Sequence, residues 1–451
     1  MIKKDYINHK RGAAIMTVVM FFVIIMLAMA GGLSSPVIRE YKTARDFEKS
    51  KGAYYLSEAG SEDAMYRIKK AKPISTQEIV SLGGNTATTT ITTVNSSQKS
   101  VSSVGDIITN TRRTISTLTT QSGESFNFGV QVGEGGMFLK NNSTITGSLF
   151  SAGPVCGGDS TESTCSGGNG TNLITGTVIS GGTTGLNGRI ARIQNQGGSA
   201  MYAGTIVGAT IAGSAYCNTI SGSSTSTCQT LTAQIAQPFS ITATDIANYE
   251  TAAAAGGAVT CSGGKYAISD DITIGPKKIP CNLEINGLGV GNGPVITLSG
   301  PIWVTGNIEM NKALTVRVDP TLTGQSLVMV ADNPGDRITS SKIKTENNNT
   351  VFTGAPGGNS WVMLISENTS ASSGGGEDAI KLENGAQGDL LVYARLGNIL
   401  IQNNSSVRQV TGYKITLQDN ANVIYAAGLE NTLFTSGPGG TWTIQDWKEG
   451  Q

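Results

Sequence analysis

Three different spacings of apolar residues divide the chain. Ala13 to Leu33 is a 21-residue run without a charge. At 1.5 Å per residue it reaches about 31 Å as a helix, enough to cross a hydrocarbon core. Farther on the apolar positions fall three or four apart. Val37, Tyr41, Ala44 and Phe47 come first, then Ala53, Leu56, Gly60, Ala64 and Ile68. That spacing predicts a helix with a one-sided stripe, closed by Pro73, with Pro36 kinking the chain as it leaves the apolar run.

Beyond Pro73 the pattern turns to short strands. Thr86 to Val94, Ser100 to Thr109 and Thr111 to Thr120 are rich in Thr and Ile and are separated by turn residues, which predicts a small antiparallel sheet. Arg112 and Arg113 read as solvated charges on its third strand. From residue 131 onward internal repeats take over. The segment Ile145–Gly153 recurs 29 residues later at Ile174–Gly182, and a third copy at Ile206–Gly213 follows after 32. Ile296, Ile302, Ile308 and Leu314 stand six apart, as do Leu298, Val304, Met310 and Val316. Short strands joined by tight turns at such a period predict a parallel β-helix. Pairs such as Asn141-Asn142 and Asn403-Asn404, and the looser Asp419-Asn420, fit its corners, because Asn tolerates left-handed backbone. Residues 156–171, 332–350 and 366–378 read as loops outside the coil, Trp303 and Trp361 as core, and Trp442 to Trp447 as a cap on one open end.

The fold class is thus mainly β: a long N-terminal helix, a small antiparallel sheet, then a parallel β-helix or solenoid. The segments are 1–12 before the apolar run, 13–72 helix, 73–130 small sheet and 131–451 coil.

Charge narrows the function. Charged residues make up 14% of the chain, and 32 Lys/Arg cancel 32 Asp/Glu. The basic field that nucleic acid requires is missing. Residues 1–72 nevertheless carry 13 of those basic residues and 7 of the acidic ones, so the head is basic and the body slightly acidic. Lys3, Lys4, Lys10 and Arg11 precede the apolar run, which places the N-terminus in the cytoplasm and the body outside it. With His9 as the one histidine, most His-dependent catalysis and metal binding drop out, and neither a cofactor nor a metal is expected.

Lys10-Arg11-Gly12 abutting Ala13 resembles the class III leader of type IV prepilins. The resemblance implies cleavage by a prepilin peptidase between Gly12 and Ala13, with the apolar helix kept. Plain single-span anchoring and a secretory signal cut after Ala28-Met29-Ala30 are the competing readings. The run Ala53 to Arg67 resembles the motif of PilX-type minor pilins, through Tyr54, Tyr55, Leu56, Glu58, Ala59, Gly60 and Glu62. Together the two motifs cover about residues 10–70. They imply a minor pilin-like subunit of a type IV pilus or a related secretion filament. Its partners would be other pilins and the assembly machinery, and the membrane would be held through residues 13–33. Major pilins carry Glu at the fifth mature position, where this chain has Thr17. That departure favours a minor or tip subunit.

Cys156, Cys165, Cys217, Cys228, Cys261 and Cys281 all lie in the exported part, without C-x-x-C spacing. Disulfides between sequence neighbours are expected, each pinning one loop, with some free thiols as the alternative. The carboxylates Asp270, Asp271, Asp332, Asp336, Glu377 and Asp378, with Lys277 and Lys278, follow no catalytic spacing. An enzyme is therefore not expected. The coil reads as a display domain for adhesion or pilus assembly, with surface glycans as candidate ligands. A membrane-anchored polysaccharide-active enzyme and a structural envelope protein stay open as alternatives.

Overall fold

The computed structural model describes residues 6–69, 74–95, 98–108, 110–120, 126, 128–158, 165–166, 172–181, 188–231, 237–287, 293–346, 349–426, 429 and 442–450. It is mainly strand, with one long N-terminal helix, an antiparallel sheet and a stack of parallel strands. Helix α1 (Tyr6–Lys69) is 64 residues long and keeps Pro36 inside it. Pro73 lies outside the described residues.

The C-terminal part of α1 packs on a five-stranded antiparallel sheet. Its strands are β1 (Gln77–Leu82), β2 (Asn85–Asn95), β3 (Gln98–Ile107), β4 (Asn110–Thr120) and the C-terminal strand Trp442–Gly450, in that order. The strand at Gln77–Leu82 has no expected counterpart, because its exposed Ile79 and Leu82 break the alternation that marks a half-buried strand. The C-terminal strand corrects a second expectation. Trp442 to Trp447 do not cap the coil. They run antiparallel to β4, and Trp447 packs beside Ala64, Met65 and Ile68. A boundary that gives everything after residue 130 to the coil therefore misplaces residues 442–450. The coil is threaded between two neighbouring strands of one sheet.

The coil has three sides, and successive turns pair in parallel. The 29-residue repeat is one full turn, since Ile145 pairs with Ile174, Leu149 with Val178 and Phe150 with Ile179. The third copy is not in the same place. Ile206 pairs with Ile190 on the next side, and the partner of Val178 is Met201. The six-residue spacing has another meaning: Ile296, Ile302 and Ile308 stand on three successive sides of one turn, and Ile296 pairs with Val316 on the next. Inward positions form unbroken columns such as Ile302, Met329, Leu364, Val392 and Val410, all essentially without exposure. Each such side chain contributes roughly 1.5–3 kcal/mol through burial.

The chain enters the coil in its middle. Strand Val130–Leu139 pairs on one side with Leu149–Ser151 and Val155–Cys156, and on the other with Gln409–Leu417. From there it winds outward to Thr219–Ser221. A second series starts at the opposite end with Lys265–Ile268 and winds back until Gln409–Leu417 closes on Val130–Leu139. The coil is thus two sequence-distant halves joined at one seam. Helix α2 (Ala243–Ala255), begun by a Thr242–Asp245 capping box, lies on the outside of one side. Its Ile246 and Tyr249 cover Val328, Val330, Met363, Ile365, Leu391 and Tyr393. That cover explains why Leu327–Ala331 and Val362–Ser366 are buried on both faces.

The Asn pairs sit at corners, as expected. Asn141, Asn142, Asn403, Asn404, Asp419 and Asn420 all have positive φ. They ladder between turns: Asn141 Nδ2 donates to Asp419 Oδ1 at 2.6 Å, and Asn403 Nδ2 to Asn384 Oδ1 at 3.3 Å. Cys156–Cys165, Cys217–Cys228 and Cys261–Cys281 are disulfides, the neighbour set. The last two staple the end turns, where a turn has a neighbour on one side only. Segment 332–350 is not all loop, because Ile343–Glu346 is a strand of the stack.

Candidate functional site

Two regions carry features beyond folding: the bare length of α1 and the polar sides of the coil. Between Ile15 and Phe47 the large apolar side chains of α1 are exposed, with Ile15 at 66%, Phe21 at 67%, Leu27 at 71% and Tyr41 at 63%. A stretch this apolar and uncovered is long enough to cross a membrane. The stripe Val37, Tyr41, Ala44 and Phe47 stays on that bare helix, and Lys51 lies over the Phe47 ring. Gly12 and Ala13 fall within the helix backbone and Thr17 on its exposed surface. The side chains of residues 1–13 lie outside the described residues.

The second stripe is buried against the sheet. Ala53, Leu56, Gly60, Ala64 and Ile68 face β2, β3 and β4, together with Ser57 and Ser61. Ala53, Ser57, Gly60, Ser61 and Ala64 are small because the backbones nearly touch. A Cβ on Gly60 would lie 2.6 Å from Ser103 Oγ and 2.7 Å from Thr89 Oγ1, and one on Gly105 would lie 2.1 Å from the Ala53 carbonyl oxygen. Thr114 Oγ1 donates to the Ser57 carbonyl at 3.2 Å across the contact. Within the motif, Leu56 and Gly60 are therefore packing residues. Tyr55 and Glu62 face solvent, and Glu58 and Ala59 are half-buried. Tyr54 hydrogen-bonds to Glu58, which raises its phenol above the ordinary value.

The structure scatters most of the carboxylates. Asp271 accepts from the Val295 amide at 2.8 Å, exposed Asp270 from Ser269, and Asp336 from the amides of Ile338 and Thr339. Lys277 donates to the Gly256 carbonyl, and Lys278 lies 3.9 Å from the Trp303 ring centre. Glu377 pairs with Lys342, while Asp378 accepts from Asn398. Burial raises the Asp378 carboxyl. Trp361 is core, and Trp303 is part-buried and donates to the Asp332 carbonyl.

One cluster had no sequence signal beyond Asp332, which stands among the carboxylates named above. Asp332, fully buried, takes both Arg337 guanidinium bonds at 2.7 and 2.6 Å. Glu367, almost fully buried, takes both from Arg395 at 3.1 and 3.0 Å. Glu250 of α2 closes the group, with Oε1 buried and without a hydrogen-bond partner. These five residues span 250–395 in sequence and meet only because turns stack and α2 lies across them. Desolvation first, and then Asp332, push Glu250 up to about 8 from 4.5. Folding therefore takes up a proton here. The stability Glu250 contributes is complete below about 4.5 and is lost as pH rises through about 8. Glu250→Gln should flatten this dependence, raising the melting temperature more at the alkaline end than at the acid end. Melting curves across that range check it, and equal shifts at every pH would refute it.

Among the described residues no group of His, Cys, Asp and Glu is arranged to hold a metal ion.

No protein-family model matches the chain, and no curated protein does. Among solved structures, the competence-associated pilin ComZ from Thermus thermophilus aligns over 89% of this chain and 97% of its own, with a TM-score of 0.40 and 11% identity. So remote a likeness carries no argument about fold or function.

Proposed function

We propose that the chain is a minor subunit of a type IV pilus or related filament, which displays its coil outside the cell. The observation that supports this reading most is the division of α1. One continuous helix leaves its N-terminal apolar length bare and packs its C-terminal small-residue face on a sheet. The bare length suits first a bilayer and then the packed apolar helices of a filament. Lys10-Arg11-Gly12 at its start supplies a leader of prepilin type, and a prepilin peptidase would cut before Ala13. Thr17 in place of an acidic fifth residue favours a minor or tip position. The PilX-type motif points the same way. The coil then serves adhesion or assembly rather than catalysis. Its carboxylates are spent on turns, ion pairs and caps, which supports that reading over a polysaccharide-active enzyme.

Gly12→Val should abolish leader removal, so that the chain accumulates at its uncut mass. Mass spectrometry of the mature N-terminus checks both forms. Wild-type protein should begin at Ala13, and a first residue of Met1 or Gly31 would overturn the assignment.

A further inference from the structure

Residues 237–257 run along the outside of the coil, from the seam toward the end that begins at Lys265. Both ends of this strap are pinned. At the seam Gln131 Nε2 donates to the carbonyls of Gln237 and Pro238 at 3.0 and 2.8 Å, and Tyr393 donates to the Ile241 carbonyl. At the other end Lys277 donates to the Gly256 carbonyl, and the Lys278 amide to that of Gly257 at 3.0 Å. Between the pins lies α2, packed on Lys277–Ile279, Ile302–Val304 and Leu327–Ala331.

The cover is lightly held. Within α2 only Asp245, Ile246, Tyr249 and Ala253 are buried. The apolar side chains beneath it, among them Val328, Val330, Met363, Ile365 and Leu391, form a cluster separate from the inward core of the coil. Strand pairing and inward columns therefore do not depend on α2.

The charges beneath α2 are already matched without Glu250. Asp332 is satisfied by Arg337 and Glu367 by Arg395, with Arg337 also 4.0 Å from Glu367. A proton on Glu250 keeps this group neutral. Its loss adds a third carboxylate, with Oε1 buried, and brings no new cation. Lys277 and Lys278, on the strand beside α2, are engaged with the Gly256 carbonyl and the Trp303 ring. Ile302–Val304 and Leu327–Ala331 carry no charge, and Asp245 of α2 is held in the capping box by Thr242.

We propose that α2 is a pH-released cover, lifted from the coil between its two pins when Glu250 ionises and reseated when Glu250 is protonated. Opening uncovers the apolar side under α2 and leaves the stack of turns paired, a local rather than a global unfolding. Because the Glu250 carboxyl is pushed up to about 8 in the closed form, closing takes up a proton. The open fraction then grows by up to about tenfold per pH unit between about 4.5 and 8. This holds whether or not the chain enters a filament.

Hydrogen exchange of full-length protein in detergent is measured at about pH 6 and about pH 9 and corrected for intrinsic rates. Peptides from Ala243–Ala255 should exchange at least about tenfold faster at the alkaline end, while residues 237–241 and the coil strands stay as they were. Binding of an apolar dye should rise in parallel. Glu250→Gln should abolish both differences, and Glu377→Gln, a carboxylate away from α2, should leave them. In wild-type protein the infrared band of a protonated carboxyl should be present at the acid end and lost at the alkaline end, a readout that does not depend on any variant folding. Four results would overturn the proposal: equal exchange of α2 at both ends, a difference that survives in Glu250→Gln, a rise shared by the whole coil, or no protonated carboxyl at the acid end.

Discussion

Ile415→Asp should open the coil at its seam. Ile415 is fully buried and sits in register between Ile399 and Met137, one on each side of the junction between the two halves. A carboxylate there would be buried among apolar side chains without a partner, at a cost on the order of several kcal/mol. In a stack each turn is stabilised by its neighbours, so a break in the middle is not diluted over the whole coil. The seam is also where sequence-distant strands must find each other, so the chain connecting them cannot hold them in register. The expected result is a large drop in the urea midpoint and new protease cleavage on both sides of the junction. Ile415→Val, which removes one methylene, should cost only about 0.5–1.5 kcal/mol and keep a single transition. An unchanged midpoint for the Asp variant would mean that the seam does not hold the halves together.

The second large effect belongs to the stem. Gly105→Ala would place a Cβ 2.1 Å from the carbonyl oxygen of Ala53, a backbone atom of α1 that no rotamer change can move aside. Helix and sheet must separate there, and the Thr114–Ser57 and Ser61–Ser116 contacts go with them. Overpacking of this kind costs about 1–3 kcal/mol, a large share for a core as small as Ala64, Met65, Ile68 and Val101. Hydrogen exchange should rise across residues 53–64 of α1 and across β3 and β4. The coil, held by its own columns, should exchange as before. Gly60→Ala meets side-chain oxygens and a methyl group instead of backbone, so it should show the same pattern more weakly. Unchanged exchange in α1 of the Gly105 variant would refute the close-contact account.

Much of the site was legible because it is local. A charge-free run of 21 residues is read from adjacent positions, and the stripe from Ala53 to Ile68 has the spacing of one helix face. Disulfides between sequence neighbours need only short loops, and the Asn pairs carry their corner geometry in their own backbone preference. The Glu250, Asp332, Arg337, Glu367 and Arg395 cluster was not legible. Each is an ordinary charged residue in its own segment, and only the stacking of turns under α2 makes it part of a buried network.

Sequence alone determined the elements: an apolar helix with a basic flank, a small-residue face, Thr-rich strands, and turns of inward Ile, Leu and Val. Those follow from periodicity and propensity, which act within a few residues. Tertiary structure alone decided where the coil is entered and which strand completes the stem sheet. Inward columns of similar apolar residues would accept many neighbours, so local pattern leaves the order of turns open. That order shows only in the strand pairings, where Gln409–Leu417 closes on Val130–Leu139 and Trp442–Gly450 returns to β4.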